Sequence, residues 1–273
     1  MEKEVKIFKI IIILDILLLM ICTFSYVKPS SKLQQIPSKN ITHKILMPKT
    51  NKITIKNINK SVVSNKTIYL TFDDGPSYLT ESILNILKAE NVPATFFVTA
   101  NKIDEYQNII RREYEENHTV AVHSATHVYS YIYSSDQNYF NDLTEVRNKV
   151  FKIIGIKPRI IRLPGGSSNT ISKKYSPGII TRITNNLNSN NFYYYDWNID
   201  STDASGCVSK DQIYNSVITH LKSGTNIILM HDSATKKTTV EALQSIIEYG
   251  KQNGYTFAKI TKNTPQIHHH INN

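Results

Sequence analysis

Two adjacent carboxylates, Asp73 and Asp74, stand at the end of an apolar stretch, residues 68–72, and directly before Gly75 and Pro76. The Ile, Tyr, Leu and Phe content of that stretch predicts a buried β-strand, and Gly-Pro ends it because proline has no N–H for strand pairing. Neighbouring side chains of a regular strand point to opposite faces, so both acids can serve one site only where the strand breaks. Crowded carboxylates repel unless a proton or cation lies between them. A metal ion is the simplest explanation of the crowded carboxylates, whereas Asp73-Asp-Gly-Pro76 taken alone indicates a solvated turn.

His123 and His127 follow a second strand-like stretch, residues 119–122, and are four residues apart. This spacing puts both imidazoles on one side of a helical turn or tight loop. Two histidines and one carboxylate form a facial ligand set with open positions, which is typical of catalytic rather than structural metal sites. An isolated His-x-x-x-His pair is also a common surface feature, but its place after a strand favours a ligand pair.

The elements that would position these residues alternate between strand-like and helix-like stretches from Thr67 to about Ile260. Strands are predicted at 68–72, 94–98, 119–122, 159–162, 192–195, 226–230 and 256–260. Helices are predicted near 79–87, with Thr80 as N-cap, and at 104–116, 141–154, 179–187, 211–221 and 240–252. Repeated βα units predict an α/β fold: a distorted (β/α) barrel, complete or incomplete, with about seven parallel strands, or a doubly wound sheet.

Polar clusters follow almost every predicted strand. The carboxyl ends of parallel strands meet at one edge, where the active sites of such folds lie. The clusters should therefore share one mouth; they are Asp73-Asp74, His123–His127, Arg162–Gly166, Asp196–Asn198 and His231-Asp232.

These clusters resemble the five ordered motifs of the polysaccharide deacetylase family, also called the NodB homology domain or carbohydrate esterase family 4. The matching segments cover about residues 67–260 and are Thr71-Phe-Asp-Asp-Gly-Pro76, His123-Ser-Ala-Thr-His127, Arg162-Leu-Pro-Gly-Gly166, Asp196-Trp-Asn198 and Leu229-Met-His231. Among family members, the chain is most similar to those that deacetylate the N-acetylglucosamine of peptidoglycan.

The resemblance implies one divalent metal ion, commonly zinc with cobalt or manganese as alternatives, bound by Asp74, His123 and His127. It also implies that Ser124 steadies the histidine loop. Amide hydrolysis agrees with this assignment, because a metal ion makes water a nucleophile near neutral pH.

The resemblance further implies a general base, Asp73, held by Arg162, and a general acid, His231, paired with Asp196. Charge supports this division: an arginine keeps a neighbouring carboxylate ionised, whereas a carboxylate beside a histidine favours the protonated ring. Outside the motifs, Arg162 would be read as a surface ion-pair partner, and Asp200 and Asp203 as turn residues.

The resemblance assigns the substrate pocket to Gly165, Trp197 and Leu229. A backbone N–H near Gly165 would help to stabilise the oxyanion, while Trp197 and Leu229 would line the pocket for the acetyl methyl group. Many family members carry an aromatic residue at the position of Gly165. Its absence removes a side chain that would touch the sugar, so the preferred substrate is less defined than the chemistry.

The formal net charge of +10 and the isoelectric point near 9.3 fit a nucleic acid, an anionic lipid or an anionic wall polymer as partner. No nucleic-acid-binding motif accompanies the charge, which argues against the first. The two cysteines, Cys22 and Cys207, do not form a disulfide framework or a cysteine-based zinc site. We therefore expect a basic domain lying against an anionic wall, with no obligate protein partner.

The N-terminal residues 10–27 are apolar except for Asp15, and ten or so Ile and Leu residues outweigh the cost of one buried acid. We predict a membrane anchor at 1–28, a Lys/Asn/Ser-rich tether at 29–66, the catalytic domain at 67–262 and a C-terminal tail at 263–273. The protein would be single-pass and its catalytic domain extracytoplasmic, or secreted if the N-terminal segment is a cleaved signal peptide. The tail histidines, 268–270, are interpreted as structural or solvated.

The expected function is metal-dependent hydrolysis of N-acetyl groups of a cell-wall glycan, most readily N-acetylglucosamine of peptidoglycan. Alternatives of the same class are deacetylation of muramic acid, poly-N-acetylglucosamine, chitin oligosaccharides or xylan. A non-catalytic glycan-binding protein is the alternative of another class. A haloacid-dehalogenase-type phosphatase is disfavoured because its acids are spaced Asp-x-Asp, whereas Asp73 and Asp74 are adjacent.

Overall fold

The structure, a computed structural model, describes residues 66–206 and 208–273. The predicted anchor, nearly all of the predicted tether and both cysteines lie outside these residues. Within them, no helix has the length and apolar character needed to cross a membrane.

The described residues form one curved sheet in which every strand pairing is parallel. Seven strands lie in the order β5-β4-β3-β2-β1-β7-β6, and β8 pairs with the beginning of β1. The predicted distorted barrel is confirmed as a curled half-barrel. The strands are β1 (Lys66–Asp73), β2 (Thr95–Thr99), β3 (Thr119–Ser124), β4 (Ile160–Ile161), β5 (Tyr193–Tyr194), β6 (Ile199–Asp200), β7 (Gly224–His231) and β8 (Thr256–Phe257).

Helices connect these strands and, with the outer face of the sheet, enclose the larger hydrophobic core. They are α1 (Tyr78–Glu90), α2 (Ala100–Ile103), α3 (Gln107–Glu115), α4 (Tyr129–Ile132), α5 (Asp136–Ile154), α6 (Ile179–Ser189), α7 (Lys210–His220) and α8 (Lys237–Gln252), with a 3₁₀ turn at Ser172–Lys174.

The alternation of β1 decides which of its side chains face the site. Ile68, Leu70 and Phe72 pack in the larger core against the helices. Because successive strand residues point to opposite faces, Asp73 lies on the other, concave face. That face has its own smaller cluster, which includes Phe97, Tyr195 and Ile227, so the base candidate enters a partly apolar interior.

Helix α1 begins at Ser77 rather than at the predicted N-cap, Thr80. The Ser77 hydroxyl accepts from the backbone N–H of Leu79, and the Thr80 hydroxyl accepts from the backbone N–H of Ser77. Thr80 is therefore the third residue of the helix and closes a capping box with Ser77, in which two hydroxyls satisfy otherwise free N–H groups at the helix start. The prediction was wrong by three residues because both positions carry a hydroxyl.

The segment predicted as a tail, residues 263–273, packs against the described domain. The Ile267 carbonyl accepts from the Asp196 N–H at 2.9 Å, and the Thr264 carbonyl accepts from the Tyr195 hydroxyl at 3.0 Å. The His268 ring stacks on Tyr194, with the ring centroids 3.7 Å apart. These contacts place the segment beside the fourth sequence motif.

Candidate active site

The predicted metal ligands come together where β1 and β3 end. One ligand atom each from Asp74, His123 and His127 lies within 4.8 Å of the others. The Nε2 atoms of His123 and His127 are 3.6 and 3.5 Å from Asp74 Oδ1. Asp74 and His127 have positive φ angles, 71° and 55°, which non-glycine residues adopt rarely. The break after β1 is thus what aims Asp74 at the histidines.

The donor set fits a divalent cation. Asp74 Oδ1 is buried and has no hydrogen-bond partner among the described residues, so a ligand there would satisfy it. His123 Nδ1 lies 2.8 Å from the carbonyl oxygen of Arg162, which accepts the Nδ1 proton. That bond leaves the Nε2 lone pair directed at Asp74, the tautomer that a metal-binding histidine requires.

Asp142, on α5, fixes the histidine loop. Its carboxylate accepts hydrogen bonds from the Ser124 hydroxyl, the Ala125 N–H, and both the N–H and the hydroxyl of Thr126 at 2.7–2.9 Å. The Ser124 hydroxyl in turn accepts from the His127 N–H at 2.9 Å, so the expected role of Ser124 is seen in the structure. Asp142 is a supporting acid that we did not predict from the sequence.

Arg162 holds Asp73 in the concave interior. Its guanidinium is fully buried and donates through Nη1 to Asp73 Oδ1 at 2.8 Å and to the Thr71 hydroxyl at 2.7 Å. It also donates to the carbonyl oxygens of Tyr195 and Asp196. Arg162 is therefore not a surface ion-pair residue, and breaking so buried a pair costs about 3–5 kcal/mol of stability.

The partner of His231 is Asp203, not the predicted Asp196. His231 Nδ1 lies 2.7 Å from Asp203 Oδ1, and the His231 N–H donates to Asp203 Oδ2 at 2.8 Å. The Thr239 hydroxyl also donates to Oδ2. Burial alone would lower the pKa of His231, but the hydrogen bond and charge of Asp203, with the charges of Asp73 and Asp74, raise it to about 9. The ring is thus protonated at neutral pH.

Asp196 has a different task because of where its strand lies. It follows β5, at the far end of the sheet from β7, whereas Asp203 follows β6, which pairs with β7. The buried Asp196 carboxylate accepts from the Ser167 N–H and hydroxyl and from the His269 N–H. It anchors the third motif and the C-terminal segment rather than the acid.

Asp232 supports the turn that presents the two acids. Its N–H donates to the Asp73 carbonyl, and its carboxylate accepts from the Thr80 hydroxyl. A Cβ atom on Gly75 would lie 2.1 Å from Asp232 Oδ2, so only glycine fits there. Burial raises the pKa of Asp232, the Thr80 hydrogen bond opposes this, and the charges of Asp74 and Asp73 add to the rise, to about 7.

The three predicted pocket residues lie around this centre. Leu229 is buried and lies two residues before His231 on β7, hence on the same face of the strand. Trp197 packs in the concave cluster and approaches Gly166, where a Cβ would lie 2.9 Å from its ring. Gly165 has a φ of 75° and faces the hydroxyl of Tyr129.

A sequence signal existed for one of the two residues that we missed. Asp142 interrupts an apolar stripe on α5 formed by Tyr139, Leu143, Val146 and Val150, which marks a buried acid with a specific partner. Asp203 follows the C-terminal end of β6, but two residues give a strand no readable periodicity.

Comparison with known proteins agrees with this geometry. The polysaccharide deacetylase family model matches residues 60–176. A peptidoglycan-N-acetylglucosamine deacetylase of Bacillus cereus is 34% identical over 197 residues, which are 70% of this chain and 68% of that protein.

Solved structures give the same result. The catalytic domain of a peptidoglycan N-acetylglucosamine deacetylase from Eubacterium rectale is 44% identical and superposes with a TM-score of 0.73, covering 76% of this chain and 94% of that domain. A polysaccharide deacetylase from Bacillus cereus gives 33% identity and a TM-score of 0.64, covering 72% of this chain and 92% of that one. In sequence, in fold and in the residues that meet at the mouth of the sheet, this chain belongs to the polysaccharide deacetylase family.

Proposed function

We propose that this protein hydrolyses the N-acetyl groups of N-acetylglucosamine in peptidoglycan and releases acetate. The observation that supports this most directly is the joint presence of three metal-ligand atoms, an arginine-held carboxylate and an aspartate-held histidine at one mouth. The names of the relatives from Bacillus cereus and Eubacterium rectale support the choice of glycan.

The residues divide the proton transfers between them. Asp73, held by the Arg162 guanidinium, accepts a proton from the attacking water. His231, protonated beside Asp203, donates a proton to the nitrogen as the amide C–N bond breaks. Asp73 and His231 are paired positions on the adjacent strands β1 and β7, so both can reach one bound acetamide from neighbouring positions.

A divalent cation bound by Asp74, His123 and His127 would polarise the acetamide carbonyl and make water a nucleophile near neutral pH. We propose zinc, because two imidazoles and one carboxylate with open positions are a usual catalytic zinc set. Cobalt and manganese are the alternatives.

We also propose that the protein is a single-pass membrane protein whose catalytic domain faces the cell wall. The apolar residues 10–27 support this placement. If the segment is removed as a signal peptide, the domain would instead be secreted.

The experiment uses the compact unit Lys60–Asn273, stripped of metal and resupplied with zinc, cobalt or manganese. Acetate and free amines are measured on peptidoglycan, on N-acetylglucosamine oligomers and on acetylated xylan, with Asp73→Asn as the inactive control. We expect metal-dependent acetate release that falls by about 10²- to 10⁴-fold in Asp73→Asn.

The polymer with the highest kcat/KM identifies the substrate among the related alternatives. Absence of acetate release from every acetylated glycan with every metal would contradict the enzymatic proposal. Glycan binding under those conditions would favour the non-catalytic alternative.

A further inference from the structure

Tyr129 is the first residue of α4 and stands beside the candidate metal ligands. Its ring centroid is 5.5 Å from that of His127. On its other side it meets the ring of Tyr133 edge-on, also at 5.5 Å. The side chain is half-buried, and its hydroxyl makes no hydrogen bond with any of the described residues. A polar group therefore lies at the mouth of the site with its hydrogen-bonding capacity free.

The third-motif loop makes room for that hydroxyl. A Cβ atom on Gly165 would lie 2.5 Å from Tyr129 Oη, closer than non-bonded atoms approach, and 3.3 Å from Tyr129 Cζ, a tight contact. Any side chain at position 165 would displace the tyrosine. Tyr129 therefore occupies the space that a residue other than glycine would fill from the loop.

A hydrogen bond joins α4 to the third-motif loop, and it fixes the position of Tyr129. The buried Tyr133 hydroxyl donates to the Pro164 carbonyl at 2.7 Å, directly before Gly165. The Asn169 side chain donates to the Gly166 carbonyl at 2.9 Å. Packing on Tyr133 then holds the Tyr129 ring between the histidine loop and the glycine pair.

We propose that Tyr129 is a substrate-contacting residue whose hydroxyl donates a hydrogen bond to an oxygen of the N-acetylated sugar. This inference rests on the proposed function, since it assumes that the acetamide lies at the Asp74, His123 and His127 cluster. A phenol is protonated at neutral pH and is therefore available as a donor. The glycan contact that the loop residue cannot make is supplied instead from α4.

The binding test compares Tyr129→Phe with the unchanged residue in the zinc-loaded full chain, with Asp73→Asn in both to prevent turnover. Calorimetry with a tetramer of N-acetylglucosamine measures Kd. One neutral hydrogen bond is worth about 0.5–1.5 kcal/mol, so we expect Kd to rise about 2- to 13-fold. In the active protein, KM should rise by a similar factor while kcat changes less.

Tyr131→Phe is the matched control, because Tyr131 lies on the same short helix but is 39% exposed. Its Kd should equal that of the unchanged protein. An unchanged Kd in Tyr129→Phe, an equal rise in Tyr131→Phe, or a fall in kcat without a rise in KM would overturn the proposal.

A second measurement needs no substrate. Gly165→Ala should lower Tm by clashing with the Tyr129 hydroxyl and by straining a residue with a φ of 75°. In the Tyr129→Phe background the clash is removed, so the loss of Tm should be smaller. An equal loss of Tm in both backgrounds would show that the Tyr129 hydroxyl does not occupy the space of a side chain at position 165.

If the unchanged protein neither binds glycan nor releases acetate, the proposed function fails. If it does both and Tyr129→Phe behaves identically, only this inference fails.

Discussion

His231 and Asp203 are in contact, and each shifts the pKa of the other toward its charged form. Burial by itself raises the pKa of Asp203, yet the hydrogen bond and positive charge of His231 lower it overall. The same contact raises the pKa of His231 to about 9 despite burial. A protonated histidine beside an ionised aspartate is what an acid that donates to a leaving amine requires.

The alkaline limb of the pH profile should report this pair. The proposed acid role of His231 requires a protonated ring, so kcat should fall as pH rises through the pKa of this residue. A cation near Asp73 and Asp74 offsets their charges, so the limb should lie at or below pH 9. Asp203→Asn removes the main charge that favours the protonated ring and should move the limb down by at least one pH unit, with a lower rate at pH 8.

Asp200→Asn is the matched control for that profile, because Asp200 is exposed and lies three residues earlier in the same segment. Its profile should match that of the unchanged protein. An alkaline limb that stays in place in Asp203→Asn would show that another group supplies the proton.

Asp142 should act through the histidine loop. Residues that orient metal ligands usually contribute about 10- to 100-fold to metal affinity. Asp142→Asn loses charge and acceptor capacity toward the Ser124–Thr126 segment, so the Kd for zinc should rise within that range. Competition with a chelator measures it. Glu145→Gln, an exposed acid on the same helix, should leave the affinity unchanged, and equal effects of both variants would contradict the role of Asp142.

Single-residue roles were predictable where the motif itself contains the partner. The positions of Asp73, Asp74, His123 and His127 could be identified because they follow β1 and β3, whose strand character is readable from the sequence. Arg162 follows a strand of only two residues and was found through the third motif of the family resemblance. The Asp203–His231 pair could not, since β6 has two residues and is defined by its bonds to β7 rather than by its own pattern.

Among the elements, the C-terminal segment makes contacts beside the site that its sequence does not predict. The His269 ring lies between the Ser168 hydroxyl and the Trp197 carbonyl, at 3.1 and 2.7 Å. It also meets the Trp197 ring edge-on at 4.7 Å. Its backbone N–H adds a third bond, to Asp196. A histidine-rich end gives no periodicity from which such packing could be predicted.

His269→Ala should therefore destabilise the domain by about 1–2 kcal/mol, since two side-chain hydrogen bonds are lost. Trp197 is the single tryptophan of the chain, so its fluorescence should report the change directly. Urea unfolding and the emission spectrum measure the two effects. His270→Ala, at an exposed neighbouring position, should change neither, and matching behaviour of the two variants would exclude a specific role for His269.

The longer elements were predictable because their hydrophobic periods are clear. β1, β7 and α8 were recognised to within a few residues. The short elements α4 and β6 were missed because the contacts that define them are made with distant parts of the chain. The missed α4 presents Tyr129, and the missed β6 leads to Asp203, so both omissions fell beside the site.

At the scale of the whole molecule, most of the net positive charge lies outside the catalytic domain. Residues 1–65 contain 11 of the 32 basic residues and 3 of the 22 acidic ones. Residues 66–273 hold the other 21 and 19 and are nearly neutral. The expected basic domain is therefore wrong, because a net charge gives no information about its distribution. Attraction to an anionic polymer should come from the N-terminal residues.

Removal of residues 1–59 should separate attraction from catalysis. The remaining unit should keep its kcat/KM on short neutral oligomers. Its binding to anionic wall polymer should be weaker and should depend less on salt than that of the full chain in detergent, because fewer charges are screened. Cosedimentation with the wall polymer tests this at salt concentrations from about 20 to about 500 mM, over which screening of charge–charge interactions becomes strong. Equal salt dependence would assign the attraction to the domain.

The position of β1 between β2 and β7 also affects the order in which parts of the site form during folding. The Thr71 hydroxyl bonds the Ile228 carbonyl 157 residues later, and so distant a contact must overcome a large loop-closure entropy. The proposed metal ligands lie at the ends of β1 and β3, which adjoin β2, whereas His231 lies at the end of β7. On refolding, cobalt binding should therefore recover before acetate release, and simultaneous recovery would show that the sheet closes in one step.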